Sequence, residues 1–271
     1  MRRLFPASHE TSDLGNRQWG LDELADVYAY PTDRDEALEG GQGGRPDGDR
    51  DTGWLRANMV SSLDGAAHHE GRSQPLSSDA DMRIFGTLRG LADAVVVGAQ
   101  TVRQEGYRPA RAREAFAARR AALGQPQAPV IAVVSASLDL DFSLPLFTEP
   151  LVPTIVLTGA GAAPDRVAAA RRAGAEVIVA GDSARVEPGR VKRVLAERGL
   201  TRLLTEGGPK MLGQFAAAGA LDELCLSLAP MVAAGAAPRI MNGPRLEVPE
   251  RFVLASVMEE AGFLFTRYRR I

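Results

Sequence analysis

The segment Leu203-Leu204-Thr205-Glu206-Gly207-Gly208-Pro209-Lys210-Met211-Leu212 combines a carboxylate, two glycines and a proline at one junction. An apolar strand delivers Glu206 to its carboxyl end, and the glycines allow close backbone approach. Pro209 then opens a helix whose free N–H groups and dipole favour an anion. Lys210 adds a cation, and lysine is scarce here: thirty of the 32 basic residues are arginine. A lone arginine therefore says little about phosphate binding in this chain, and a lysine says more. A second junction, 94–109, runs a buried strand into Gly98 and a short helix start. Thr101 stands beside the free N–H groups there, and Glu105 is placed to face the same crevice, an arrangement suited to a phosphate or pyrophosphate. The third, Ser61-Ser62-Leu63-Asp64-Gly65 followed by 71–81, offers hydroxyls and amides between a strand end and a helix start. Ser78 with Asp81 makes a helix cap, and a plain turn plus cap accounts for that segment as well as a polar ligand does.

These junctions need strands that end together and helices that begin there. Short β-branched or aliphatic runs at 55–60, 94–97, 130–134, 154–157, 176–179 and 202–205 alternate with helical stretches at 78–91, 111–123, 164–173, 188–198 and 209–218. Such alternation predicts an α/β fold, a mostly parallel sheet with helices on both faces. Pro164, Pro188 and Pro209 fall in first helical turns, where a missing N–H costs nothing. The last strands, 224–228, 252–258 and 263–269, have no helix between them and predict an antiparallel finish, with Glu260-Ala261-Gly262 turning the final hairpin. Residues 1–53 read as an acidic N-terminal extension with one short helix at 21–28 and a mobile Gly-rich loop at 40–49, and 54–271 as the main domain.

Composition narrows the function. The 271 residues are 45% apolar and 24% charged, enough for a buried core, and the net charge of −2 gives no polyanion-binding surface. One cysteine, Cys225, excludes an intramolecular disulfide and an all-thiolate metal site. His9, His68 and His69 lack carboxylates at ligand spacing, so no metal is expected. No apolar run is long enough to cross a bilayer and no signal peptide opens the chain, so the expected compartment is the cytoplasm. No Gly-x-Gly-x-x-Gly follows a strand, and neither a Walker loop nor a Gly-x-Ser-x-Gly elbow is present.

Taken together and in order, Ser-Leu-Asp-Gly at 62–65, Val-Gly-x-x-Thr-Val at 97–102 and Glu-Gly-Gly-Pro at 206–209 resemble the reductase domain of bacterial riboflavin biosynthesis, over 55–269. The resemblance implies the dihydrofolate-reductase-like fold and a homodimer. It implies NADPH-dependent reduction of the ribosyl group of a pyrimidine ribotide to ribityl. Val60, Thr101, Ser135 and the run Gly207, Gly208, Pro209, Lys210, Met211 and Leu212 are then expected near NADPH. Ser73, Asp64, Arg89 and Arg108 are expected near substrate, Arg89 neutralising its phosphate. The cofactor supplies hydride, so the protein owes alignment and one proton, for which Glu105 and Glu206 are the candidates. The chain departs from the family's Asp-Asp-Pro with Glu105-Gly106-Tyr107, and Arg108 or Arg111 substitutes for a later basic residue. The family's deaminase elements are absent, which makes this a stand-alone reductase. A dihydrofolate or other pteridine reductase, and a non-catalytic NADP-binding protein on the same fold, are the alternatives.

Overall fold

The β-branched runs come together as one ten-stranded sheet, with neighbours in the order 2–5, 252–260, 263–270, 223–228, 54–61, 202–205, 94–98, 130–134, 155–158 and 176–179. The structure is a computed structural model that describes residues 1–6, 17–32 and 52–271. Along the chain lie β1 (Arg2–Phe5), α1 (Leu21–Val27), β2 (Trp54–Ser61), α2 (Asp79–Leu91), β3 (Ala94–Gly98) and α3 (Ala99–Gln104). Next come α4 (Glu114–Ala122), β4 (Val130–Val134), α5 (Pro145–Thr148), β5 (Ile155–Thr158), α6 (Pro164–Arg172) and β6 (Glu176–Val179). The chain closes with α7 (Pro188–Ala196), β7 (Arg202–Thr205), α8 (Pro209–Ala217), β8 (Glu223–Leu228), β9 (Phe252–Glu260) and β10 (Phe263–Arg270). Every pairing from β8 across to β6 is parallel, and β10, β9 and β1 pair antiparallel, which is the mixed α/β architecture expected.

Strand β7 inserts between β2 and β3, so the carboxyl ends of these three strands, Ser61, Thr205 and Gly98, share one edge with Val134 at the end of β4. A crevice at that edge follows from the topology, because the connection leaving β7 runs back to β8 over one face while those leaving β2 and β3 run the other way over the opposite face. Two apolar layers flank the sheet. Leu88, Val95, Val97, Val102, Phe116, Ile131 and Leu204 belong to one, and Leu55, Val96, Val191, Leu195, Leu203, Leu212 and Phe215 to the other. Alternation along β3 sends Val95 and Val97 one way and Val96 the other, as a strand buried on both faces requires. Gly86 and Gly90 on α2 let α4 lie close: a Cβ on Gly90 would meet the Phe116 ring at 2.6 Å, and one on Gly86 the Arg113 guanidinium at 2.6 Å.

The core takes in more of the chain than the sequence suggested. Met1, Trp19, Leu24, Ala25 and Tyr28 are buried in the first apolar layer, and β1 extends the sheet beside β9. Arg56 and Arg267, both buried, hold α1 down. Arg56 Nη1 donates to Tyr28 O at 2.6 Å and Nη2 to Ala29 O at 3.3 Å, while Arg267 donates to Val27 O and Ala29 O. These are carbonyls at a helix C-terminus, where cations are favoured. Glu223 lies between the two guanidiniums, 2.8 Å from Arg56 Nε and 2.5 Å from Arg267 Nε. The expected Gly-rich loop at 40–49 falls outside the described residues.

Candidate functional site

The two glycine junctions meet. The Thr101 hydroxyl accepts the Gly208 N–H at 3.0 Å, bonding the start of α3 to the start of α8. Gly207 has φ +92, a conformation side chains disfavour, and a Cβ there would lie 3.4 Å from the Met59 thioether; the Gly207–Gly208 peptide is cis. No side chain caps α8, and Pro209 carries no N–H. The first-turn N–H groups of Lys210 and Met211 therefore face the crevice without a capping partner. Ser135, just past β4, is buried with a hydroxyl that has no hydrogen-bond partner. A buried hydroxyl left unbonded calls for a ligand or water. An uncapped helix start, the exposed Lys210 and this orphan hydroxyl together fit the diphosphate and sugar of a dinucleotide. Val60, one residue before the end of β2, is half-buried against the α2 side of the core. Asn242 N–H donates to Pro209 O at 2.9 Å, so the loop after β8 passes over the same helix start.

Glu206 follows β7 directly and turns to Arg89 on α2. Arg89 Nε and Nη2 donate to Glu206 Oε1 and Oε2, each at 2.6 Å, and only 6% of the Glu206 side chain is exposed. Tyr107 completes the cluster: its hydroxyl donates to Glu206 Oε2 and accepts from Arg89 Nη2 at 2.6 Å. The Arg89 guanidinium also lies 4.5 Å from the Phe85 ring and 5.2 Å from the Tyr107 ring. Burial, and next the Glu206 carboxylate, push the Tyr107 phenol well above its usual range. What brings Tyr107 here is Gly106, whose φ of +59 ends α3 in a left-handed turn; the Tyr107 N–H then bonds Val102 O at 3.2 Å, closing the helix. Sequence reasoning read Glu105-Gly106-Tyr107 only as a departure from a motif, although a glycine just past a short helix was the available signal.

Beside this cluster lies a cavity of about 510 Å³ between the end of α2, the 105–113 segment and α4. Arg89, Arg108, Arg111, Arg113 and Arg120 line it, with Glu105 as the one acidic lining residue. Arg120 gives Nε and Nη1 to carbonyls, donating to Pro126 O, Gly90 O and Ala92 O. Among the described residues, Arg108, Arg111 and Arg113 make no ion pair. Partial burial and then the Arg89 charge work against a cation at Arg113, which marks a place short of negative charge. Arg113 was not singled out in the sequence, where abundant arginine hides it.

The remaining expected residues fall elsewhere. Glu105 is exposed at the cavity rim, and Ser73 is exposed ahead of a 3₁₀ turn at Gln74–Leu76; neither side chain is hydrogen-bonded among the described residues. Neither Ser73 nor Asp64 lines the cavity. The Asp64 carboxylate accepts from the Ser62 hydroxyl and from the N–H groups of Ala233 and Ala234, contacts that hold it down at about 2. It acts here as a loop anchor. Ser78 caps α2 as expected, and the Asp81 carboxylate, buried, accepts from Ser227 at 2.6 Å and Ser77 at 2.5 Å. No cluster of metal-ligating side chains occurs among the described residues.

The family model for the RibD C-terminal domain matches residues 53–259. The chain belongs to the RibD C-terminal domain family. Within it, a relative from Archaeoglobus fulgidus named 2,5-diamino-6-ribosylamino-4(3H)-pyrimidinone 5′-phosphate reductase is 27% identical over 70% of this chain and 86% of its own. The riboflavin biosynthesis protein RibD of Bacillus amyloliquefaciens is 27% identical over 70% of this chain and 49% of that longer protein. Among solved structures, a pyrimidine reductase-like protein from Corynebacterium diphtheriae superposes with a TM-score of 0.72 at 30% identity. That match covers 87% of this chain and 98% of its own. RibD of Acinetobacter baumannii shares the fold, with a TM-score of 0.65 at 16% identity, over 82% of this chain and 59% of that one. The mixed α/β fold expected from the sequence is thus the fold of this RibD-family chain, and the glycine junction and the arginine cavity lie inside the matched region.

Proposed function

We propose that this chain is an NADPH-dependent reductase that converts the ribosyl group of a phosphorylated ribosylaminopyrimidine to ribityl. The observation that carries the reading is the arginine-lined cavity without matching acidic residues, joined through Arg89 and Glu206 to the glycine junction. A substrate with a 5′-phosphate and a reducible sugar fits that continuity, its phosphate among Arg108, Arg111 and Arg113 and its reacting carbon toward β7. Bound cofactor supplies the hydride. The first turn of α8, with Lys210, holds its phosphates; the Ser135 hydroxyl takes one of its polar groups; Thr101 keeps the two helix starts in register; Val60 offers apolar wall. Glu206, already the acceptor of three hydrogen bonds, orients a donor on the substrate, and Glu105 at the rim carries the proton between solvent and the reacting nitrogen. Ser73 is free to meet the pyrimidine end. The resemblance further implies a homodimer, and the single cysteine suits the cytoplasm as its compartment; no helix among the described residues is long and apolar enough to cross a membrane.

The test is NADPH oxidation with the deaminated pyrimidine ribotide and dihydrofolate offered in parallel. Turnover on the ribotide is expected. Turnover confined to dihydrofolate, or tight NADPH binding without turnover on either, overturns the reading.

A further inference from the structure

A carboxylate oxygen accepts about two hydrogen bonds, one per lone pair. In Glu206, Oε2 takes both Arg89 Nη2 and the Tyr107 hydroxyl, and Oε1 takes only Arg89 Nε. The hydroxyl of Tyr107 also accepts from Arg89 Nη2, closing a ring of three groups. Of the guanidinium nitrogens, Nη1 alone makes no hydrogen bond in this cluster.

We propose that Tyr107 is a positioning residue that saturates Oε2 of Glu206, so that the carboxylate meets its substrate through a single remaining acceptor site on Oε1. The group it receives is an N–H or O–H of the sugar or amine at the reacting end. Without the phenol, Oε2 regains a free lone pair, and the substrate has two competing ways to bond, one of them misaligned. That the residue is reached by the left-handed turn at Gly106, bonds Val102 O through its N–H and packs against the first apolar layer gives it a fixed address. This inference rests on the substrate reading above for the identity of the donor, and on the geometry alone for the link between Tyr107 and Glu206.

Tyr107→Phe keeps the ring over Arg89 and removes only the hydroxyl. A hydrogen bond to a charged group has a strength that predicts a fall in kcat of about tenfold to a hundredfold, with KM for ribotide and NADPH changed less than about threefold. In a Glu206→Gln background the same substitution should cost no more than about twofold, because the two residues act as one unit. Losses that multiply, or a loss confined to KM, overturn the proposal. A readout independent of turnover is the alkaline titration of the Tyr107 ring carbon by NMR, assigned with Tyr107→Phe. In Glu206→Gln its midpoint should fall, since the carboxylate is one of the groups holding the phenol up. An unmoved midpoint removes the Tyr107–Glu206 link whatever the activity. A moved midpoint with no ribotide turnover in the unaltered protein supports the link and sinks the substrate reading.

Discussion

Replacing Arg89 by alanine removes two of the three donors that Glu206 holds and leaves a carboxylate 6% exposed facing a phenol alone. Deleting one member of a buried ion pair costs about 3–5 kcal/mol. The Arg89 side chain is 21% exposed and borders a cavity that admits water, so the expected loss is smaller, about 2–3 kcal/mol. At roughly 2–4 °C per kcal/mol for a chain of this size, that lowers Tm by roughly 5–10 °C. Thermal unfolding followed by circular dichroism reads this directly. The double variant Arg89→Ala with Glu206→Gln removes the stranded charge and should recover at least half of the loss. If the double variant melts no higher than Arg89→Ala, the pair is not what stabilises this corner. Turnover gives a second reading. Arg89→Ala should impair phosphorylated and dephosphorylated substrates alike, because it frees Glu206; a defect limited to the phosphorylated one would return Arg89 to the role of phosphate contact.

Arg113→Ala, by contrast, should raise KM for the phosphorylated substrate about tenfold or more and leave the dephosphorylated one within about twofold, the loss of one charge-assisted contact. Gly208→Ala places a Cβ 3.1 Å from the Thr101 hydroxyl; crowding of about 1 kcal/mol should weaken NADPH about fivefold by fluorescence titration, and an unchanged affinity would show that the junction yields without cost. Acid stability should track Glu223. Burial works toward its neutral form, but the charges of Arg267 and Arg56 override this and hold the carboxyl at about 2, below the ordinary 4.5. A carboxylate lowered on folding stabilises above its unfolded value and loses that contribution as pH falls, here from about 4.5 toward 2. Glu223→Gln should melt lower at pH 7 and show a flatter decline in that window; an unchanged slope by calorimetry would exclude Glu223 as its source.

Much of the architecture was readable because hydrophobic period and punctuation agree. The run at 130–134 and the prolines at 164, 188 and 209 mark a strand and three helix starts that the structure reproduces to within a residue or two at their first residues. The meeting of Thr101 with Gly208 was not readable from either junction by itself; only the family resemblance set the two residues near one cofactor, and the hydrogen bond between them appears in the structure. What stayed hidden depended on distant partners. β1 is four residues, Arg-Arg-Leu-Phe, with no alternation to announce it, and it exists through β9. Arg56, Arg113 and Arg267 look like any of thirty arginines until burial and neighbours separate them. Asp64, expected near substrate, and Asp81, read as part of a helix cap, reveal their carboxylate partners only in three dimensions, one bonding a loop and the other two serines. Tyr107 is an unremarkable tyrosine until Gly106 turns it onto Glu206.

The arginines that receive the end of α1 make the boundary at residue 53 a seam rather than a hinge. Carbonyls of Val27, Tyr28 and Ala29 take hydrogen bonds from two buried guanidiniums that share one carboxylate. A chain cut to begin at Trp54 would keep both cations and lose their carbonyl acceptors, together with the apolar cover that Trp19, Leu24 and Tyr28 give the core. Residues 17–32 are therefore part of what folds: they cannot be traded as a cassette, and a partner domain appended to this scaffold has to leave them in place.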